Sequence, residues 1–427
     1  MGAYKSRPPS SCSEAWLKRV SDSYSSLRTR ISLDTSINKE TELSALQQAC
    51  CDDDIDEVLQ LIDDTNIYEK TESGGHSLLH LCCMDGGCRS AVRLLARVGT
   101  RINSLNAKGF APLHIACFKG DIELVSDLLI GGADVEQISY ASITALHLAS
   151  LEGHAQVVEL LLRYEANLCT QDVLMFTPLH AACFFGHDQV VKCLINHNAD
   201  INVGGGVGLR PLHLSCTQGF LTVTELLVTG RKNNKADVNI QDNENNTPLH
   251  YCARSGHLLI LDYLLHPSHG VKGHEVNIYG DTALHIACYH GKIEVTKQLL
   301  PKLTPECFTI ENIFSEAPLH CACTSGQSMD LVKFLTEQNG VDINYQGRDG
   351  HTALHSACYH GRLQLVQFLI EQGANLDLAC KDDVMASKAK KQTCLVWASE
   401  RGHDDVVVLL KKAAQDRPAL IHMKTVD

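Results

Sequence analysis

A short apolar phrase recurs along most of the chain: LLHLCC, PLHIAC, ALHLAS, PLHAAC, PLHLSC, PLHYCA, ALHIAC, PLHCAC and ALHSAC. Each phrase is followed by a polar break and then by a second apolar stretch, such as IELVSDLL or AQVVELLL, whose apolar residues fall at helical spacing. The pattern predicts two short helices per unit. The repeated histidines are His80, His114, His147, His180, His213, His250, His285, His320 and His355, at spacings of 34, 33, 33, 33, 37, 35, 35 and 35. Ahead of them, Trp16, Val20, Tyr24, Leu27 and Ile31 fall on one face of a further helix.

The polar positions punctuate the units. Thr144, Thr177, Thr247, Thr282 and Thr352 stand where a hydroxyl caps a helix, and Pro112, Pro178, Pro211, Pro248 and Pro318 occupy the first helical position, where a missing N–H costs nothing. A glycine six residues after eight of the histidines, from Gly120 to Gly361, closes the first helix in the left-handed conformation. Gly132, Asn198, Gly340 and Gly373 close second helices in the same way. Glu165 fills that place in the unit of His147, which predicts a cost of about 1 kcal/mol and an irregular junction.

This unit closely resembles the ankyrin repeat, with nine copies in register. Degenerate copies flank them. One lies around Leu46, and the other is TCLVWA with Gly402 and DDVVVLLKK, which makes about eleven units. The expected fold is therefore an all-α ankyrin-repeat solenoid with short β-hairpin fingers, its array spanning 43–412. An arm over 1–15 and an amphipathic helical segment over 16–42 precede it, and a tail over 413–427 follows. The segment KDDVMASKAKKQ before the last unit reads as a mobile basic loop. The segment 16–42 either docks on the array or pairs with a second chain.

Composition changes this picture little. A formal net charge of −13 argues against non-specific nucleic-acid binding, and protein partners are the expectation. No apolar run reaches the length of a membrane span and no apolar core marks a secretory signal, so the expected compartment is the cytoplasm, with the nucleus as a second one. The nineteen cysteines read as reduced thiols; seven stand three residues after a repeat histidine, where a small buried residue belongs. No CxxC pair occurs, and neither metal nor other cofactor is expected. Gly204-Gly205-Gly206-Val207-Gly208 lacks the strand and the G-K-[ST] of a phosphate loop and reads as a turn. Met1-Gly2-Ala3-Tyr4-Lys5-Ser6 fits the N-myristoylation pattern at Gly2, the one route by which a membrane enters the expectations.

The resemblance to ankyrin arrays implies two variable surfaces on one side, the hairpin tips and the first-helix positions four and five after the histidine. Aromatic and apolar residues concentrate there: Phe110, Tyr140, Leu174 and Met175 at tips, and Phe118, Phe184, Phe185, Tyr289 and Tyr359 on first helices. Clustered aromatics in a concave surface are what binding hot spots are made of, so these nine are the candidate partner contacts, centred on the units of His114, His147 and His180.

Longer segments resemble one family more closely than any repeat consensus. MGAYKSRP, VNIYGDTALHIACYHGK, ENIFSE, MDLVKFL, QGRDGHTALHSACYHGRLQLVQFL and QTCLVWASERGH are similar to the N-terminal half of the cardiac troponin-I-interacting kinases, which are tyrosine-kinase-like Ser/Thr kinases. In that family a coiled-coil segment and about ten ankyrin repeats precede the kinase domain. The resemblance implies the regulatory, partner-binding half of a kinase, with sarcomeric or kinase-signalling partners. These 427 residues hold no G-x-G-x-x-G-x-V loop, VAIK, HRD or DFG, so no catalytic residue carries over.

Overall fold

The computed structural model describes residues 12–34, 43–63, 66–72, 74–85, 88–98, 100–231, 234–380 and 392–423. The lipidation motif at Gly2 and the basic loop over 381–391 lie outside the described residues. Two compact units divide the chain, one over Ser10–Asn243 and the other over Glu244–Asp427.

The first unit opens with a long helix, α1 (Cys12–Asp34), and continues with six helix pairs, from Ala45–Cys51 with Ile55–Leu61 to Pro211–Gln218 with Leu221–Thr229. The second contains five pairs, from Pro248–Ser255 with Leu258–Leu264 to Cys394–Glu400 with Asp404–Met423. That last helix runs beyond Lys412, where the sequence suggested a tail. The eleven pairs are the expected ankyrin units.

The caps explain where first helices begin and end. The hydroxyls of Thr144, Thr282 and Thr352 accept from the backbone N–H of the histidine three residues on. Gly120, Gly153, Gly186, Gly219, Gly256 and Gly326 close first helices with positive φ.

Between pairs the fingers are tighter than the hairpins expected from the repeat. Among the described residues the only strands are Ala379–Cys380 and Gln392–Thr393, paired antiparallel. Several other fingers are turns closed by two backbone bonds: Asn106 N–H to Phe110 O with Gly109 N–H to Asn106 O, and the same pair at Asp172–Phe176 and Asn277–Asp281. A short polar side chain braces several of them. Asn106 Oδ1 accepts from the N–H groups of Lys108 and Phe110, and Asp172 Oδ1 from those of Leu174 and Phe176.

Each repeat histidine ties its own helix start to the next finger. Nδ1 accepts the backbone N–H three residues earlier, at 3.0–3.3 Å in all nine units. That bond leaves the proton on Nε2. Nε2–H then donates to a carbonyl of the following finger: His80 to Phe110 at 2.8 Å, His114 to Ile143, His147 to Phe176 and His180 to Leu209. The same bridge runs from His250 to Asp281, His285 to Glu316, His320 to His351 and His355 to Gln392, and His213 reaches the following finger further back, at Ile240 O. Burial holds the imidazoles of His114, His180 and His320 neutral, lowering the first to about 4 and the other two to about 3, although the carbonyl bonds work in the opposite direction.

Cysteine at the third position after the histidine packs as a small apolar residue, fully buried at Cys83, Cys117, Cys183, Cys216, Cys288, Cys323 and Cys358. The eighteen cysteines from Cys50 to Cys394 are reduced thiols.

The junction at Glu165 is left-handed as expected, with φ +62, but it is not irregular. Ala166 N–H bonds to Leu161 O at 3.1 Å and Glu165 N–H to Leu162 O at 3.1 Å. Gly132 and Asn198 close their helices with the same pair of bonds. The closing bonds set the geometry, and the side chain only makes it more costly.

Two predictions follow from these features. Glu165→Gly removes that cost and should stabilise the first unit by about 1 kcal/mol, read as a shift in urea midpoint at unchanged slope; a lower midpoint would show that Glu165 is not strained. Acid should loosen the array through its histidines. The folded pKa values of His114, His147, His180 and His320 lie below the ordinary 6.5, so their contribution is complete above about pH 6.5 and fades as pH falls towards 4, by about 1.4 kcal/mol per pH unit for each such histidine. Melting temperature should thus be level from pH 7 to 8 and drop steeply between pH 6 and 4, and a level profile down to pH 4 would contradict the neutral bridge.

Candidate protein-binding groove

The concave side of the first unit is lined by finger tips and by the ends of first helices, and it is not empty. Helix α1 lies in it. Its apolar face, Val20, Tyr24, Leu27 and Ile31, is buried, and Trp16 at its start is half-buried. The Tyr24 ring stands 6.1 Å from Phe184 and 5.7 Å from Phe185, and these two rings meet edge to face at 5.0 Å. The Tyr24 hydroxyl donates to Asp172 Oδ2 at 3.0 Å, the carboxylate oxygen that the finger turn does not use. Burial, with the Asp172 charge and this bond added, pushes the Tyr24 pKa well above its ordinary value.

Arg28 is the polar anchor one turn further on. Its Nε donates to Glu152 Oε1 at 2.6 Å, a second guanidinium nitrogen donates to Leu151 O at 2.8 Å, and the group lies 4.0 Å over the Phe185 ring. A cation over an aromatic face, with its charge paired alongside, is a strong local contact. Near the end of α1, Lys108 Nζ donates to Arg30 O at 3.2 Å. At its start the Trp16 ring occupies the space a side chain would need at Gly206: a Cβ built there would lie 2.3 Å from the ring. The glycine run over 204–208 is thus a turn, as expected, and Gly206 is also the seat of Trp16.

The nine candidate contacts separate accordingly. Tyr140 (70% exposed) and Met175 (53%) are open tip residues, Met175 in a left-handed turn with φ +62. Phe118, Phe185, Tyr289 and Tyr359 are half-buried on first helices. Phe110 and Leu174 are buried in the intact chain, so neither offers a free surface to a partner. Phe184, read as an open groove residue, is 6% exposed because α1 packs on it. In the second unit Tyr359 stands 5.5 Å from Trp397 with Arg401 3.9 Å over its ring. Asp172, Glu152, Gly206 and Trp397 were absent from the candidates. Of these only the first three needed α1 to give them meaning.

Other chemistry is sparse among the described residues. Glu159 and Cys193, on second helices, and His197, just past the end of one, bring one ligand atom each within 4.8 Å of one another. They satisfy each other as they stand. Cys193 Sγ–H donates to Glu159 at 3.2 Å, His197 Nδ1 lies 3.0 Å from Cys193 O, and Arg163 reaches Glu159 at 3.5 Å. Burial and the neighbouring carboxylate push the Cys193 thiol up to about 12. No described helix is long and apolar enough to cross a membrane.

The comparisons with known proteins agree with this architecture. A family model described as ankyrin repeats (3 copies) matches residues 46–139, 113–205 and 319–419, and two further ankyrin-repeat models match 194–252 and 249–300. Among relatives, the serine/threonine-protein kinase TNNI3K of Mus musculus is 58% identical over 419 residues, 97% of this chain and 49% of that protein. The rat protein of the same name is 50% identical over 96% of this chain and 48% of its own length. The human one matches over 33% of this chain at 48% identity. The chain spans about half the length of the mouse and rat relatives, and the half it matches is ankyrin repeats. By its helix pairs, its histidine bridges and these matches, the chain belongs to the ankyrin-repeat family and is homologous to the N-terminal part of that kinase.

Proposed function

We propose that this chain is a protein-interaction module that serves as the regulatory part of a Ser/Thr kinase system, holding partner proteins on its concave surface and finger tips. The observation that carries the reading is the concave surface of the first unit, which already receives an amphipathic helix through an aromatic pair and two carboxylates. A surface built to take one helix has the chemistry to take others. The open tips at Tyr140 and Met175 and the half-buried rings Tyr289 and Tyr359 extend the contact area. Kinase-signalling or sarcomeric proteins are the partners that the family likeness suggests. The cytoplasm is the proposed compartment, with membrane attachment only through a myristoylated Gly2.

Two experiments test this. Immobilised full-length chain should capture a defined set of proteins, and Phe185→Ser or the pair Tyr289→Ser and Tyr359→Ser should cut recovery of part of that set at least tenfold at a nearly unchanged melting temperature. Phe185 is the residue to change because Phe184 is buried. Identical recoveries from all three chains would defeat the reading. With magnesium and ATP the purified chain should transfer no phosphate, since it has no lysine, catalytic aspartate or metal ligand of a kinase. Specific incorporation would contradict the non-enzymatic role.

A further inference from the structure

Helix α1 belongs to no helix pair. It stands outside the repeat stack, and it is joined to the first helix pair through residues 35–42. The bonds that hold the units together, such as His147 to Phe176 and His180 to Leu209, are made without it. Its outer face is polar, with Lys18, Arg19, Asp22, Ser25, Ser26 and Arg30 all exposed.

Its length suits the place. Twenty-three residues make a helix of about 34 Å. Stacked helix pairs repeat every ~8–10 Å, so such a helix crosses about four of them. The contacts are indeed spread over four successive units, from Gly206 through Asp172 and Phe184 to Glu152 and then Lys108. The helix runs opposite to the order of the repeats.

The fit is incomplete at one end. Trp16 Nε1 is buried with no hydrogen-bond partner, while Arg19 sits 4.9 Å over the ring. A buried donor left unpaired weakens docking, and a ligand that pairs or omits it would bind better.

We propose that α1 is an exchangeable occupant that keeps this groove closed. The ligand the groove takes is an amphipathic helix of about six turns, with bulky apolar residues at the relative positions of Val20, Tyr24, Leu27 and Ile31 and an arginine at that of Arg28. A partner protein carrying such a helix displaces α1 and takes over Asp172, Glu152 and the Phe184–Phe185 pair. This rests on reading the chain as an interaction module, and it adds which surface is gated, by what, and for which class of ligand.

The test needs no foreign partner. The probe is a fluorescent synthetic peptide of residues 12–34, titrated against full-length chain by anisotropy. Val20→Asp with Leu27→Asp in the chain unseats the tethered helix and leaves the groove intact. The peptide should bind this variant at least tenfold more tightly than wild type, and adding Phe185→Ser should remove the gain. Arg28→Ala, which removes the polar anchor at a half-exposed position, should shift affinity in the same direction by a smaller factor, so the question is answered even if the aspartate variant folds poorly. Equal affinity for wild type and for both variants, or no binding to folded variants, overturns the proposal. That result would leave capture through Tyr289 and Tyr359 untouched, so the two readings fail separately.

Discussion

The structure depends on one interaction repeated nine times: a buried, neutral imidazole whose Nδ1 takes a backbone N–H at its own helix start and whose Nε2 gives a proton to the next finger. A protonated ring would break the first bond, and a solvated one would lose its preference for the second. Everything near the histidine serves to keep it dry. Proline and threonine start the helix at the right residue, left-handed glycine stops it, and cysteine fills the space behind with a small apolar atom. Because each bridge joins only neighbouring units, the groove-lining tips are held in register without any contribution from what lies in the groove.

Much of this was legible in the sequence because it is local and periodic. The histidine register, the caps, the eleven units and the left-handed residue at Glu165 all follow from positions a few residues apart. What the sequence misjudged at Glu165 was the consequence: a closing pair of backbone bonds imposes the same geometry on glutamate, asparagine and glycine, so strain there does not become disorder. The fingers were read as hairpins because the repeat suggests them. A turn braced by Asn106 or Asp172 closes on two backbone bonds of its own, and no ladder forms.

The groove was half legible. Aromatic residues at the positions after His180 marked it as a binding surface, and the spacing of Trp16, Val20, Tyr24, Leu27 and Ile31 marked a helix with one face to bury. Nothing in either pattern says that the two belong together, because Tyr24 and Asp172 are 148 residues apart. Once they meet, Phe184 passes from exposed contact to covered ring, and Gly206 from plain turn residue to seat for an indole. Long-range pairing is decided by shape and by a few polar anchors, which leave no period in the chain.

The central claim is that α1 lies in the groove of its own chain. Amide hydrogen exchange over residues 15–32, followed at several protein concentrations, tests it most directly. The account predicts exchange at least about tenfold slower than in the isolated peptide, at a rate that does not change with concentration. Exchange as fast as in the free peptide, or protection that appears only as concentration rises, would contradict it.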